Sequence, residues 1–259
     1  MNKHDRNEST PFSKYSEKGA YHWKAYYRHW SKANPMMRAR YDIVADILTD
    51  HFSGQDAVGL DLGCGDGLLL NLLQRYFSHI IGVDLEQEGL LLAHQQLRRL
   101  PLQRFTLLHA SGYHLPLANQ SVDFVVALEL IEHLDQPSLF IEEVKRVIRP
   151  RGLFVCTTPR RQSEEYNHIT DKYHVHEYTG SELAQLLNLH FHNVMVKGFE
   201  PPWLKSLYLG HSGVKLIDSV TRLGLRMLAT IRNPYRYALS QDADMNSSNQ
   251  LVAVGMRPP

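Results

Sequence analysis

Hydrophobic and polar positions follow two regimes along the chain. From about residue 57, short apolar runs alternate with longer amphipathic stretches. The runs at 57–62, 79–83, 105–109, 122–128, 153–158, 192–197 and 251–256 have strand length, as buried strands do. The stretches 68–76, 88–100, 137–147 and 181–189 read as helices, and Pro101 stops the second. Strands alternating with helices predict an α/β fold with a mostly parallel sheet. Pro150-Arg151-Gly152 predicts a turn before the fifth strand. No short crossover joins the last two strands; residues 199–249 form an insertion there, and its polar end, 241–250, reads as a loop.

Upstream the pattern differs. Residues 1–12 are polar and are expected to be disordered. Trp23, Tyr26, Tyr27 and Trp30 recur at spacings of three and four, one face of a helix that Pro35 ends, and a second helix is expected over 37–52. The chain therefore divides into a tail and helical cap (1–52), a core (53–198), a helical insertion or lid (199–249) and a last core strand (250–259).

Composition narrows the class. The 259 residues carry 28 Lys+Arg against 27 Asp+Glu, and 43% are hydrophobic, as in an ordinary globular protein. The formal charge of +1 opposes a nucleic-acid binder held by a broad basic face. Two cysteines, Cys64 and Cys156, exclude a disulfide framework and fit a reducing, cytoplasmic setting. The first residues lack the apolar stretch of a secretion signal, and no run of about 18 apolar residues offers a membrane span. Fifteen histidines, against 16 glycines, stand out. Imidazoles bind metals, move protons or simply pack, so the count alone does not assign a role.

The strongest chemical signal is Asp61-Leu62-Gly63-Cys64-Gly65-Asp66-Gly67, at the junction of the first strand and a helix. Glycines there let backbone approach a ligand, and the helix N-terminus favours an anionic group. The spacing Gly63-x-Gly65-x-Gly67 is not that of dinucleotide binders, since Leu68 stands where their third glycine falls. This argues against a nicotinamide-dependent oxidoreductase. Asp61 would repel a pyrophosphate but can accept a bond from an ammonium, so a ligand with amine, carboxylate and ribose fits better. Asp84 ends the second strand, 23 residues after Asp61, where an acid can hold both ribose hydroxyls or, alternatively, cap the next helix.

With the stretches 61–67, 80–93, 115–134 and 143–159, the chain resembles the class I S-adenosylmethionine-dependent methyltransferases over about 57–198 plus 251–256. The resemblance implies a Rossmann-like sheet of seven strands, helices on both faces and an antiparallel last strand. It implies S-adenosylmethionine as cofactor. Asp61, Gly63 and Gly65 would hold the methionine end, Asp84 the ribose, and Leu85 the adenine, with Cys64 and Glu129 in the same pocket. The family often places an acid against the adenine amine; here Ser111, followed by Gly112, stands at that place.

Glu129, Glu132 and His133 follow the fourth strand, at the sheet edge where open α/β folds place their sites. Two carboxylates and an imidazole can bind a divalent metal, completed by a histidine from the downstream segment holding His174 and His176, with His168 in the same loop. Glu-x-x-Glu-His resembles the metal sites of ubiquinone-type O-methyltransferases and of enzymes that methylate the terminal 2′-hydroxyl of small RNAs. Without metal, the pair would line the cofactor pocket, and His133 becomes the candidate general base. Methyl transfer from a sulfonium needs little acid–base help when the nucleophile is aligned.

Residues 203–240 contain six basic residues (Lys205, Lys215, Arg222, Arg226, Arg232, Arg236) and one acid, Asp218, around a run of apolar residues from Val214 to Ile231. Such a helix lies on an anionic membrane surface, lids a lipid-linked substrate, or packs on the sheet with a solvated basic side. The N-terminal aromatics are expected over the cofactor mouth, where they would face the sulfonium or simply pack. The expected function is methylation of an oxygen on a small-molecule, lipid-linked or envelope-saccharide acceptor, in the cytoplasm or peripherally at the inner membrane surface. The alternatives are an RNA ribose methyltransferase and a non-catalytic binder of the cofactor.

Overall fold

The computed structural model describes residues 14–27, 34–53, 56–161, 171, 173–199, 207, 215–231 and 248–259. Trp30, His168, the expected tail and the polar stretch 241–247 lie outside them. Two short helices, α1 (Lys14–Lys18) and α2 (Tyr21–Tyr27), precede α3 (Pro35–His51). The reach of the preceding helix towards Pro35 falls on residues 28–33, outside those described. Pro35 opens the next helix: it is the first residue of α3, two residues before the expected start, where its fixed φ and missing N–H cost nothing. Asn34 caps it by accepting from the N–H groups of Met36 (3.1 Å) and Met37 (3.3 Å).

The core follows as β1 (Val58–Leu62), α4 (Leu68–Leu73), β2 (His79–Asp84), α5 (Gln87–Leu97), β3 (Phe105–His109), β4 (Val122–Leu128), α6 (Pro137–Val147), β5 (Ile148–Pro159), α7 (Gly180–Asn188) and β6 (His192–Phe199). The helix α8 (Lys215–Ile231) and β7 (Gln250–Met256) complete it. Helices α4 and α5 each stop three residues before their expected ends.

The strands form one sheet in the order β3-β2-β1-β4-β5-β7-β6. β1 to β5 pair in parallel, and β7 runs antiparallel to both β5 and β6. The chain winds outward in both directions from β1 and β4, so a crevice opens at their carboxyl ends. There Asp61, the loop after β1, Asp84 and the turn after β4 come together.

One expectation is corrected. Residues 150–152 are not a turn outside the sheet but part of β5, which starts at Ile148. Ile148 pairs with Val122, the register slips before Phe124, and Arg151 has φ +65°. A Cβ at Gly152 would strike the Asp123 carbonyl and the Ile148 side chain. The Pro-Arg-Gly signal therefore marks a bulge, which interrupts pairing as a turn does without ending the strand.

Each sheet face buries its own cluster. On one side Phe124 and Val126 meet α3, α4 and α5 through Leu48, Leu69 and Leu97; on the other Val125 and Phe154 meet α6 and α7 through Phe140, Ile141 and Leu183. Phe124 is central to the first. It packs 5.4 Å from the Phe52 ring and 4.8 Å from Phe77, and fills the space a Cβ at Gly59 would need. Phe124→Ala should cost about 3–5 kcal/mol of unfolding free energy, measured by urea denaturation, and a loss below about 1 kcal/mol would show that this face is not packed as described.

Candidate active site

The loop after β1 is built by left-handed backbone. Gly63, Gly65 and Gly67 have φ of +72°, +50° and +76°, which only glycine adopts without strain. The N–H groups of Gly63 and Cys64 both bond the Val83 carbonyl, at 2.8 and 3.1 Å, which ties the loop to the end of β2. Cys64 is buried, and its sulfur sits over Gly82. Burial pushes its thiol well up, so its part is packing and not nucleophilic chemistry.

Asp84 is not the cap of α5; that place belongs to Glu86. One Asp84 oxygen accepts from the Gly65 N–H (2.7 Å) and the other from the Glu86 N–H (2.8 Å), so the carboxylate braces the glycine loop. Burial raises its pKa, and these backbone bonds oppose the shift. Asp61 is buried beneath the same loop. Desolvation, then the nearby Asp84 and Asp66, holds its carboxyl well above the usual carboxylate range. Asp61 and Asp84 thus line one cavity of about 710 Å³, with Asp66 buried close enough to add its charge, a basin suited to a cationic group.

Tyr15 and Tyr21 roof this cavity, where N-terminal aromatics are expected, but the contact that fastens the roof has no counterpart in the sequence pattern. Asp66 is fully buried and accepts from the His22 backbone N–H (2.9 Å), with the His22 imidazole Nδ1 3.1 Å from its other oxygen. Its carbonyl accepts from the Trp23 indole (2.6 Å), so α2 is fastened to the glycine loop. Tyr15 of α1 lies where a Cβ at Gly65 or Gly89 would have to go. Lys14 reaches Asp171 (3.8 Å) and the Tyr173 ring across the mouth. Only the aromatic stripe hinted at a cap; the His22–Asp66 contact, 44 residues apart, leaves no local signal.

Leu85 is 65% exposed at the rim, and Ser111 lines the adjoining wall with Ala110 and Gly112. Ser111 Oγ accepts from the Tyr113 N–H at 3.3 Å.

Beyond β4 the acids separate. Glu129 has φ +50°, and its carboxylate takes the Thr157 hydroxyl (3.0 Å) and the Arg40 guanidinium of α3 (2.8 Å). It is therefore engaged away from the expected metal set. The short turn Ile131–His133 leaves Glu132, His133 and His174 together, with one ligand-capable atom from each lying within 4.8 Å of the others. Glu132 is fully buried. One oxygen accepts from the Thr158 hydroxyl (2.9 Å), while Oε1 has no hydrogen-bond partner among the described residues. Burial and the nearby Glu129 push its carboxyl well up.

Both imidazoles are oriented from behind. His133 Nδ1 donates to the Tyr173 carbonyl (2.9 Å) and His174 Nδ1 to the Glu177 carboxylate (2.8 Å), which leaves the lone pair of each ring on Nε2. The Glu132 carbonyl accepts from the Val175 and His176 N–H groups, at 2.8 and 3.1 Å, and so holds that segment in place. His176 points elsewhere, 3.6 Å from Glu182.

If the His22 imidazole helps hold α2 on the buried Asp66, then His22→Ala, which keeps the backbone N–H bond and the Trp23 indole bond, should loosen the cap without loosening the sheet. Amide exchange over residues 15–27 should speed up about ten- to hundredfold, matching the ~1.5–3 kcal/mol of a hydrogen bond to a charged group, with β1 and β4 unchanged. Unaltered exchange in the cap would contradict this.

Comparisons with known proteins bear on the family and the fold. Residues 60–156 match the model of a methyltransferase domain family. The chain is 29% identical, over 85% of its own length and 88% of the relative's, to a probable S-adenosylmethionine-dependent methyltransferase of Mycolicibacterium smegmatis. Over 52% of its length and 54% of the relative's, it is 30% identical to a ubiquinone biosynthesis O-methyltransferase of Maricaulis maris. Among solved structures, the YcgJ protein of a Bacillus aligns with TM-score 0.57 and 15% identity, over 83% of this chain and 98% of that one. Phosphoethanolamine N-methyltransferase 2 of Haemonchus contortus, in complex with S-adenosyl-L-methionine, aligns with TM-score 0.64 and 15% identity, over 96% of this chain and 59% of that one.

Proposed function

We propose that this chain, which belongs to the class I S-adenosylmethionine-dependent methyltransferases, methylates a hydroxyl oxygen of a small-molecule or lipid-linked acceptor. When bound, the cofactor supplies an electrophilic sulfonium methyl. The residues present fit it: Asp61 and the glycine loop at Gly63 and Gly65 receive the ammonium and carboxylate of its methionine end. Asp84, already aimed by two backbone N–H groups, receives the ribose hydroxyls. Leu85, exposed at the rim, would cover one face of the adenine, and Ser111, on the adjoining wall, would face its edge. The near balance of charge weighs against an RNA acceptor.

The observation that carries the oxygen reading is His133. It lines the cavity, its Nδ1–H is committed to a carbonyl, and burial lowers its pKa. At neutral pH it is an uncharged base with a free Nε2, able to take the proton of an acceptor hydroxyl as the oxygen attacks. His133→Ala should lower the methyl-transfer rate roughly 10²–10⁴-fold and leave S-adenosylhomocysteine affinity unchanged. Because the neutral form is the active one, the wild-type rate should stay level through the ordinary imidazole pKa of ~6.5 and fall only below it. A rate unchanged by the substitution would contradict the assignment.

A second reading is favoured by one atom, Oε1 of Glu132, buried and without a hydrogen-bond partner among the described residues. Glu132, His133 and His174 each offer one ligand atom to a common place, a set suited to a divalent ion such as zinc or manganese. A cation there would reverse the upward push on the Glu132 carboxyl and lower the pKa of a bound hydroxyl. Metal analysis separates the two. One divalent ion per wild-type chain, lost in Glu132→Gln, supports the metal; equal trace metal in both supports His133 as base.

A further inference from the structure

Helix α8 is mounted with its apolar side outward. Its packed face holds Asp218, Thr221 and Arg222, all partly buried, and Leu225, which is buried in the cluster under α3. On the opposite side, Ile217, Val220 and Met227, three and seven residues apart and so on one helical face, are 54%, 62% and 55% exposed, with Leu223 beside them at 44%. Gly224 lies within this stripe, and a Cβ built there would meet open space. A helix that only needed to cover the sheet would turn these residues inward. Contiguous exposed apolar surface of this kind marks a site of interaction.

The charge of the segment identifies the partner. Residues 203–240 carry six basic residues and a single acid, whereas the rest of the chain is net negative. An apolar stripe within a basic segment matches a surface that is apolar inside and anionic outside. No helix among the described residues is long and apolar enough to cross a membrane. We propose that α8 docks this protein in the plane of an anionic lipid surface, with Ile217, Val220 and Met227 entering the acyl boundary. The position suits the chemistry. α8 packs on α3, and α3 supplies Met37, Arg40 and Tyr41 to the wall of the cofactor cavity, so docking sets the cavity beside the bilayer, where an acceptor with a lipid tail resides. The docking itself does not depend on which atom is methylated.

Flotation of the full chain with phosphatidylcholine vesicles, with and without phosphatidylglycerol, tests the proposal. The wild type should float with the anionic vesicles and should be released as salt is raised to about 0.5 M. The triple variant Ile217→Ser/Val220→Ser/Met227→Ser should bind them roughly a hundredfold or more weakly, given three apolar side chains withdrawn from lipid. Its S-adenosylhomocysteine affinity should match the wild type, which shows that the variant is folded. Failure of the wild type to bind anionic vesicles, or equal binding by the variant, would overturn the proposal. So would a wild-type dimer that the variant converts to monomer without any vesicle binding, because the stripe would then be covered by a second copy.

Discussion

The structure turns on three carboxylates, Asp61, Asp66 and Asp84, buried around one glycine loop. Buried acids are costly unless paired or hydrogen-bonded, and each meets the cost in a different way. Asp66 is satisfied by His22 and thereby attaches the N-terminal cap. Asp84 is satisfied by two backbone N–H groups and thereby shapes the loop. Asp61 is held well above the ordinary carboxylate range by burial and by the other two. In the free protein its ionised form opposes folding: the penalty is absent below the unfolded value of ~3.9 and grows as pH rises towards the raised folded value. A cationic ligand relieves that penalty, so the same arrangement that strains the empty site favours the occupied one.

Much of this was legible in the sequence because it is encoded locally. Parallel strands announce themselves as short apolar runs, and the glycine loop as a spacing, since both are dictated by neighbours along the chain. What was not legible depends on contacts between distant residues. Glu129 looked like a ligand beside Glu132, yet Arg40 of α3 and Thr157 of β5 draw it aside. His174 and His176 looked equivalent; the bond from His174 to Glu177 and the hold of the Glu132 carbonyl turn one toward the site and the other away. The bulge at Arg151 carries turn chemistry, and only pairing with β4 reveals that the strand continues through it.

One sheet edge has room for the cofactor and for the proposed proton transfer on separate walls. The carboxylates sit under the loop after β1, where a cationic group would be favoured. The imidazoles sit after β4, each with Nδ1 tied back so that Nε2 is presented. Tyr15 and Tyr21 roof the space between, and burial pushes both phenols up, Tyr21 to about 12, so they stay neutral.

The most direct test of this account is calorimetric titration with S-adenosylhomocysteine in buffers of differing ionisation enthalpy, between about pH 5 and pH 8. The ligand's ammonium should stabilise the ionised acids, so binding should release protons, and affinity should weaken as pH falls through the raised pKa range of Asp61 and Asp84. No binding, or binding with no proton release and an affinity independent of pH, would contradict the claim that these buried carboxylates form the receptor for the cofactor.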